Sequence, residues 1–244
     1  MSDDRFAIQL SPRRILITLL ITSGLLLALS IWGQYLRYFQ RFVDIRPWME
    51  LGLDILNHKF YMDAETNVPT WFNTALLLAI SGILSGIGLA KMRPRDRYRF
   101  HWLGLAVLFL LMSLDEAATF HEMLITPMRQ WLGLGGWFYF GWVIPGIVLI
   151  LILGLTYIRF FVHLGPRVRL LLVLALLMYF AGALGAELFS GRLAAALGQR
   201  NFTYAAVASL EEAVELIGAS LVTYALLLYV QIESRTFEIA IGPK

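Results

Sequence analysis

The chain has no cysteine. That removes disulfides, iron–sulfur clusters and thiolate metal sites. Charge is scarce as well: 15% of the 244 residues are Asp, Glu, Lys or Arg, against roughly 25% in a soluble globular domain. Hydrophobic residues make up 59%. These proportions exclude a soluble domain and specify an all-α, polytopic membrane protein. The net charge of +3 does not indicate nucleic acid, because the basic residues gather in short loops and so report topology. The N-terminal stretch "MSDDRFAIQLSPRR" has no small-residue cleavage site, so the apolar run after it is expected to stay in the membrane. No internal repeat is visible.

A membrane-crossing helix needs about 20 mostly apolar residues. Six stretches qualify, at 15–36, 71–90, 102–122, 137–160, 168–190 and 205–231. One transmembrane domain over 15–231 is therefore expected, between an N-terminal segment 1–14 and a tail 232–244. Counted loop by loop, 13 Lys and Arg residues fall on the side of the two termini and 7 on the other. The positive-inside rule makes both termini cytoplasmic, in a plasma membrane of the bacterial inner-membrane kind. In the first outer loop, Trp48, Leu51, Ile55 and Leu56 stand at helical spacing, as expected of a helix lying in the interface. Gly82 and Gly86 in the second span, and Gly182 and Ala186 in the fifth, form small-xxx-small pairs suited to close packing. Gly141 suits a close neighbour, and Pro145 is expected to kink the fourth span.

Lysine and arginine are absent where the acids are most unusual. Of 17 acids, seven fall inside the six stretches: Asp115, Glu116, Glu122, Glu187, Glu211, Glu212 and Glu215. A charge at mid-bilayer costs roughly 2.5–3.5 kcal/mol even on the lenient insertion scale. These groups must therefore be protonated, bind cations or face water. Span direction places Asp115 roughly 10 Å below the outer edge, Glu187 about 5 Å, Glu211 about 9 Å and Glu215 about 15 Å. Three spans thus bring their acids to one slab.

Helical angles sort the stretch "SLDEAATFHE". Asp115, Thr119 and Glu122 share one face, with Glu116 and His121 to either side. Asp115 and Glu122 are the expected inward pair, and Glu116 and His121 compete for the remaining place. Glu211 and Glu215, four residues apart, face inward together with Glu212 nearby. Asp63 and Glu65 stand just above the membrane, as site residues or as part of a solvated turn. His58 could approach from above, whereas His101 and His163 suit a solvated or interfacial role.

Many carboxylates with one imidazole suit a hard or borderline cation, Fe, Mn, Mg or Ca. The expected metal ligands are Asp115, Glu122, Glu187, Glu211, Glu212 and Glu215, with Glu116 or His121 as general base. Di-iron bundles carry Glu-x-x-His pairs, but Ala118 stands three residues before His121. Zinc-dependent membrane hydrolases of the ceramidase and progestin-receptor type use a serine, an aspartate and several histidines. Ser113 and Asp115 match part of that set, but Glu211-x-x-x-Glu215 stands where a His-x-x-x-His pair is required.

Three functions remain: a metal-dependent enzyme acting on a lipid or other hydrophobic substrate, a proton- or cation-coupled transporter, or a non-catalytic accessory subunit with a structural cation. The partners expected are the bilayer and a hydrophobic small molecule, with no nucleic acid.

Overall fold

Between Ile15 and Leu36 the chain carries no charge, and Pro12 at the first helical position pre-sets the turn that starts this run. The result is α1, Pro12–Phe39. A computed structural model describes residues 11–40, 46–93 and 95–233. The flanking segments 1–10 and 234–244 lie outside those residues, as do Arg5, Arg41, Arg235 and Lys244 of the loop charges.

The remaining elements are α2 (Pro47–Lys59), α3 (Val68–Ala90), α4 (Arg99–Ala118), α5 (Phe120–Leu132), a 3-10 turn (Gly136–Phe138), α6 (Val143–His163), α7 (Pro166–Phe180), a π-helical turn (Ala181–Ala186), α8 (Glu187–Leu197) and α9 (Phe202–Glu233). Among the described residues there is no strand, and six helices are long and apolar enough to cross a membrane. They are α1, α3, α4, α6, the continuous α7–π–α8 run and α9. The chain is thus an all-helical protein of multi-pass membrane type. Both described chain ends lie at one end of the bundle, here the termini end; α2, α5 and the start of α6 mark the other, the acid end.

Helix α9 is the axis: 67% of its most apolar stretch is buried, and it packs against α1, α3 and α7. Small residues make this possible. A Cβ added to Gly218 would lie 2.5 Å from the backbone nitrogen of Tyr179. One added to Gly182 would lie 2.7 Å from Glu215 Cγ. The termini half of the bundle is a solid apolar core in which Leu77, Ile80, Leu84, Trp102, Phe109, Phe160 and Leu226 are almost fully buried.

Several span limits differ from expectation, each for a local reason. The third span ends at Ala118 rather than 122, because Thr119 adopts a left-handed conformation (φ 52°) and breaks the helix. The fourth starts at Val143 rather than 137, so Pro145 sits in the first turn of α6, where proline needs no kink. Gly82 and Gly86 are exposed and meet nothing within 4 Å; the close approach on α3 is at Gly88 against Leu103. Gly141 does admit a neighbour, with Met128 Cβ 2.6 Å from where its own Cβ would be. A helix, α2, covers these first-loop positions and exposes Trp48, Leu51 and Ile55.

Candidate active site

The π turn "AGALGA" carries no large side chain and pairs closely with α9 at Gly182. It delivers Glu187, the first residue of α8, beside Glu211 of α9. On α9, Glu211 and Glu215 are buried and Glu212 half-buried. Glu116 approaches from α4, next to the buried Asn73 of α3. All of these carboxylates line one cavity of about 670 Å³, together with Asp63, Glu65, Asp115 and Glu122. Arg129 is its one lining Arg or Lys, and its guanidinium rests on the Tyr139 ring, 4.2 Å from the centroid.

The helix break at Thr119 changes how "SLDEAATFHE" is used. A continuous helix would separate Glu116 from His121. With Thr119 left-handed, the chain turns, and both side chains reach the cavity. The carboxylate of Asp115 spans the break: Oδ1 accepts the backbone N–H of His121 at 2.9 Å, and Oδ2 lies 2.7 Å from His121 Nδ1. Asp115 thus caps α5 and orients the imidazole at once. The other face of His121 meets Trp142, 4.8 Å between ring centroids, and the Trp142 indole donates to Glu187 Oε1 at 3.0 Å. Glu122, exposed, stands at the cavity mouth.

The loop before α3 is fixed from below. Asn67 caps α3 by accepting from Thr70 N at 2.9 Å, and its amide donates to the carbonyls of Tyr61 and Ala64. Met62 N donates to Ser30 Oγ at 3.1 Å, and Ser30 bonds Ser209 at 2.8 Å. Asp63 is thereby held in the cavity wall, where it accepts from Tyr61 Oη at 2.8 Å and Tyr204 Oη at 3.4 Å. Burial pushes the Asp63 carboxyl up to about 7, with the Glu187 and Glu122 charges adding to the rise against the two tyrosine bonds. Burial also raises Glu65 to about 7, helped by Glu116 and Glu122.

A family model matches residues 15–230 of the chain. The chain belongs to that family, Domain of unknown function (DUF8692). No curated protein and no solved structure matches it.

Every acid expected in the shared slab thus reaches the cavity of this DUF8692 chain, and both Asp63 and Glu65 join them. Ser113 does not; its hydroxyl donates to the Thr74 carbonyl at 2.9 Å. His58 is exposed and pairs with Asp54. His101, half-buried against Tyr98 and Phe160, and His163, exposed beside Tyr98, lie at the termini end and outside the cavity lining. Tyr204, Tyr179, Trp142 and Asn73 escaped the sequence reading, because aromatic and amide residues in an apolar span look like ordinary packing. Among the described residues, no group of three or more His, Cys, Asp or Glu side chains is already arranged to hold a metal ion. Several buried polar atoms nevertheless have no hydrogen-bond partner: Glu211 Oε2, both amide atoms of Asn73 and the Thr74 hydroxyl.

Proposed function

We propose that this chain is a membrane enzyme acting on a lipid or other hydrophobic substrate, with an oxygen-ligated cation (Fe, Mn, Mg or Ca) as its cofactor. The observation that carries this reading is the Asp115–His121 pair, which lines the same cavity as carboxylates from three spans. An imidazole with Nδ1 engaged by a carboxylate keeps Nε2 for proton transfer. His121 is therefore the general base and Asp115 its positioning residue, which withdraws Asp115 from the metal ligands.

Glu187, Glu211, Glu212 and Glu215 are the ligand wall, with Glu116 beside them and Glu122 at the mouth. Nine acids against Arg129 need a counter-charge, and Glu211 Oε2 is a buried acceptor without a partner. An all-oxygen donor set fits a hard cation, which Glu187, Glu211, Glu212 and Glu215 would hold. When bound, such a cation supplies Lewis acidity. Trp142 holds Glu187 by a hydrogen bond and leans on His121, so it links the two halves of the site. The loop-charge bias of 13 against 7 supports a reading with the acid end on the outer side of a plasma membrane and α2 in the interface.

The termini half argues against a through-going ion path. Its buried hydroxyls on Ser81, Ser220 and Thr223 each donate to a backbone carbonyl, and large apolar side chains fill the space between.

The test is metal analysis by mass spectrometry of the detergent-purified protein. Stoichiometric metal is expected, lost in Glu211→Gln and Glu215→Gln and kept in His121→Gln and Asp115→Asn. A metal-free protein that carries cations into liposomes overturns the reading in favour of transport.

A further inference from the structure

Helix α6 is anchored in the bundle at its two ends, and between them only partly buried residues such as Ile147 and Ile150 pack inward. At the acid end Val143 is fully buried, and Gly146 lets α6 close on Leu184 and Trp142. At the termini end Phe160 is fully buried, packed edge-on against Trp102 at 4.9 Å and stacked with His101 at 5.7 Å. Tyr157 Oη there donates to the His101 carbonyl at 3.2 Å, and Gly104 makes room for that hydroxyl. Between Val143 and Phe160, α6 has no buried residue.

The space left between α4 and α6 is the apolar half of the acid cavity. Leu108 and Met112 of α4 and Leu149 and Leu153 of α6 line it, together with Phe180 and Ala183. These residues lie within spanning helices, so this part of the cavity sits at hydrocarbon depth. One continuous cavity therefore joins an apolar slot to a chamber of carboxylates.

We propose that the α4–α6 gap is a bilayer-facing portal that admits a long-chain amphiphile, its chain in the slot and its head on the glutamates. The head donates hydrogen bonds and carries no negative charge, as an amine or a hydroxyl does. Charge complementarity selects it: nine acids line the cavity against Arg129, so a phosphate head meets like charge in a poorly hydrated space. Glu211 Oε2, on a residue only 6% exposed, is an unpartnered acceptor in that chamber. Where no cation occupies Glu211, an amine or hydroxyl supplies the missing donor. This deepens the proposed function, resting on it for what happens to the head and not for the binding itself.

Photo-crosslinking of the full chain in phosphatidylcholine vesicles tests it. The probes are a hexadecyl amine, a hexadecyl alcohol and a hexadecyl phosphate, each with a diazirine in the tail. The amine and alcohol are expected to label the segments holding Met112 and Leu153, and the phosphate only lipid-facing positions such as Leu155. Leu153→Trp is expected to lower Met112 labelling several-fold, while Leu155→Trp, on the exposed side of the same helix, leaves it unchanged. Equal labelling of Met112 by the phosphate, or the same effect from both tryptophans, overturns the portal. Labelling needs neither metal nor turnover, so a protein that fails the metal test still passes or fails this one.

Discussion

Asp115 binds His121 twice, through the ring at 2.7 Å and through the backbone amide at 2.9 Å. The two residues stand on different helices, and the left-handed Thr119 between them makes the double contact possible. A β-branched residue there is strained, so the bond to Asp115 is part of what holds the break. Asp115→Ala removes both acceptors and is expected to cost about 2 kcal/mol. His121→Gln leaves the backbone bond and is expected to cost about half as much. Thermal denaturation in detergent measures both. An equal loss in the two variants would refute the capping role of Asp115.

The contact of α9 with α7 and the π turn rests on two glycines. Gly218 meets the backbone of Tyr179, which cannot move aside, whereas Gly182 meets the Glu215 side chain and backbone. Gly218→Ala is expected to lose about 2 kcal/mol or more through overpacking. Gly82→Ala and Gly86→Ala, in open space on α3, are expected to be neutral or to gain up to about 1 kcal/mol of helix propensity. Comparing the three melting temperatures decides whether close approach or glycine content matters here.

The six spans were readable because hydrocarbon thickness sets a length that apolar runs must meet, and α1 and α9 meet it plainly. The gathering of acids was readable too: alternating span direction puts Asp115, Glu187 and Glu211 at one level whatever the packing. The roles of Glu116 and His121 were not. Angular reasoning assumes an unbroken helix, and nothing in "AATF" announces a left-handed threonine. Asp63 was ambiguous for a different cause. Its burial depends on Tyr61 and Tyr204, the second lying 141 residues away in sequence. Glycine pairs misled on α3, where Gly82 and Gly86 share a face but that face points away from the bundle.

Stability should fall as pH rises from acid to neutral. Asp63 and Glu65 are both held up to about 7, above their values in an unfolded chain. Below about pH 4 both states are protonated and the fold bears no penalty. Above that the unfolded chain ionises while the folded one resists, so stability is lost progressively up to the folded values near 7. The expected result is a lower melting temperature at pH 8 than at pH 5. Asp63→Asn should flatten part of that slope, since asparagine still accepts from Tyr61. An unchanged slope in Asp63→Asn would assign the dependence to other groups.

Crowding of like charge gives the last test its sign. Glu211, Glu212 and Glu215 share one turn of α9 with Glu187 and Glu116 close by. In chelator-treated protein they repel one another, so Glu212→Gln is expected to raise the melting temperature. Added Mn or Ca should raise it further in the unmodified chain, because a ligand bound only to the folded state stabilises it in proportion to RT ln(1 + [L]/Kd). In Glu215→Gln that second rise should shrink or vanish, since one proposed ligand is gone. A cation effect of equal size in both proteins would place the ion elsewhere and leave the glutamates as a proton-holding wall.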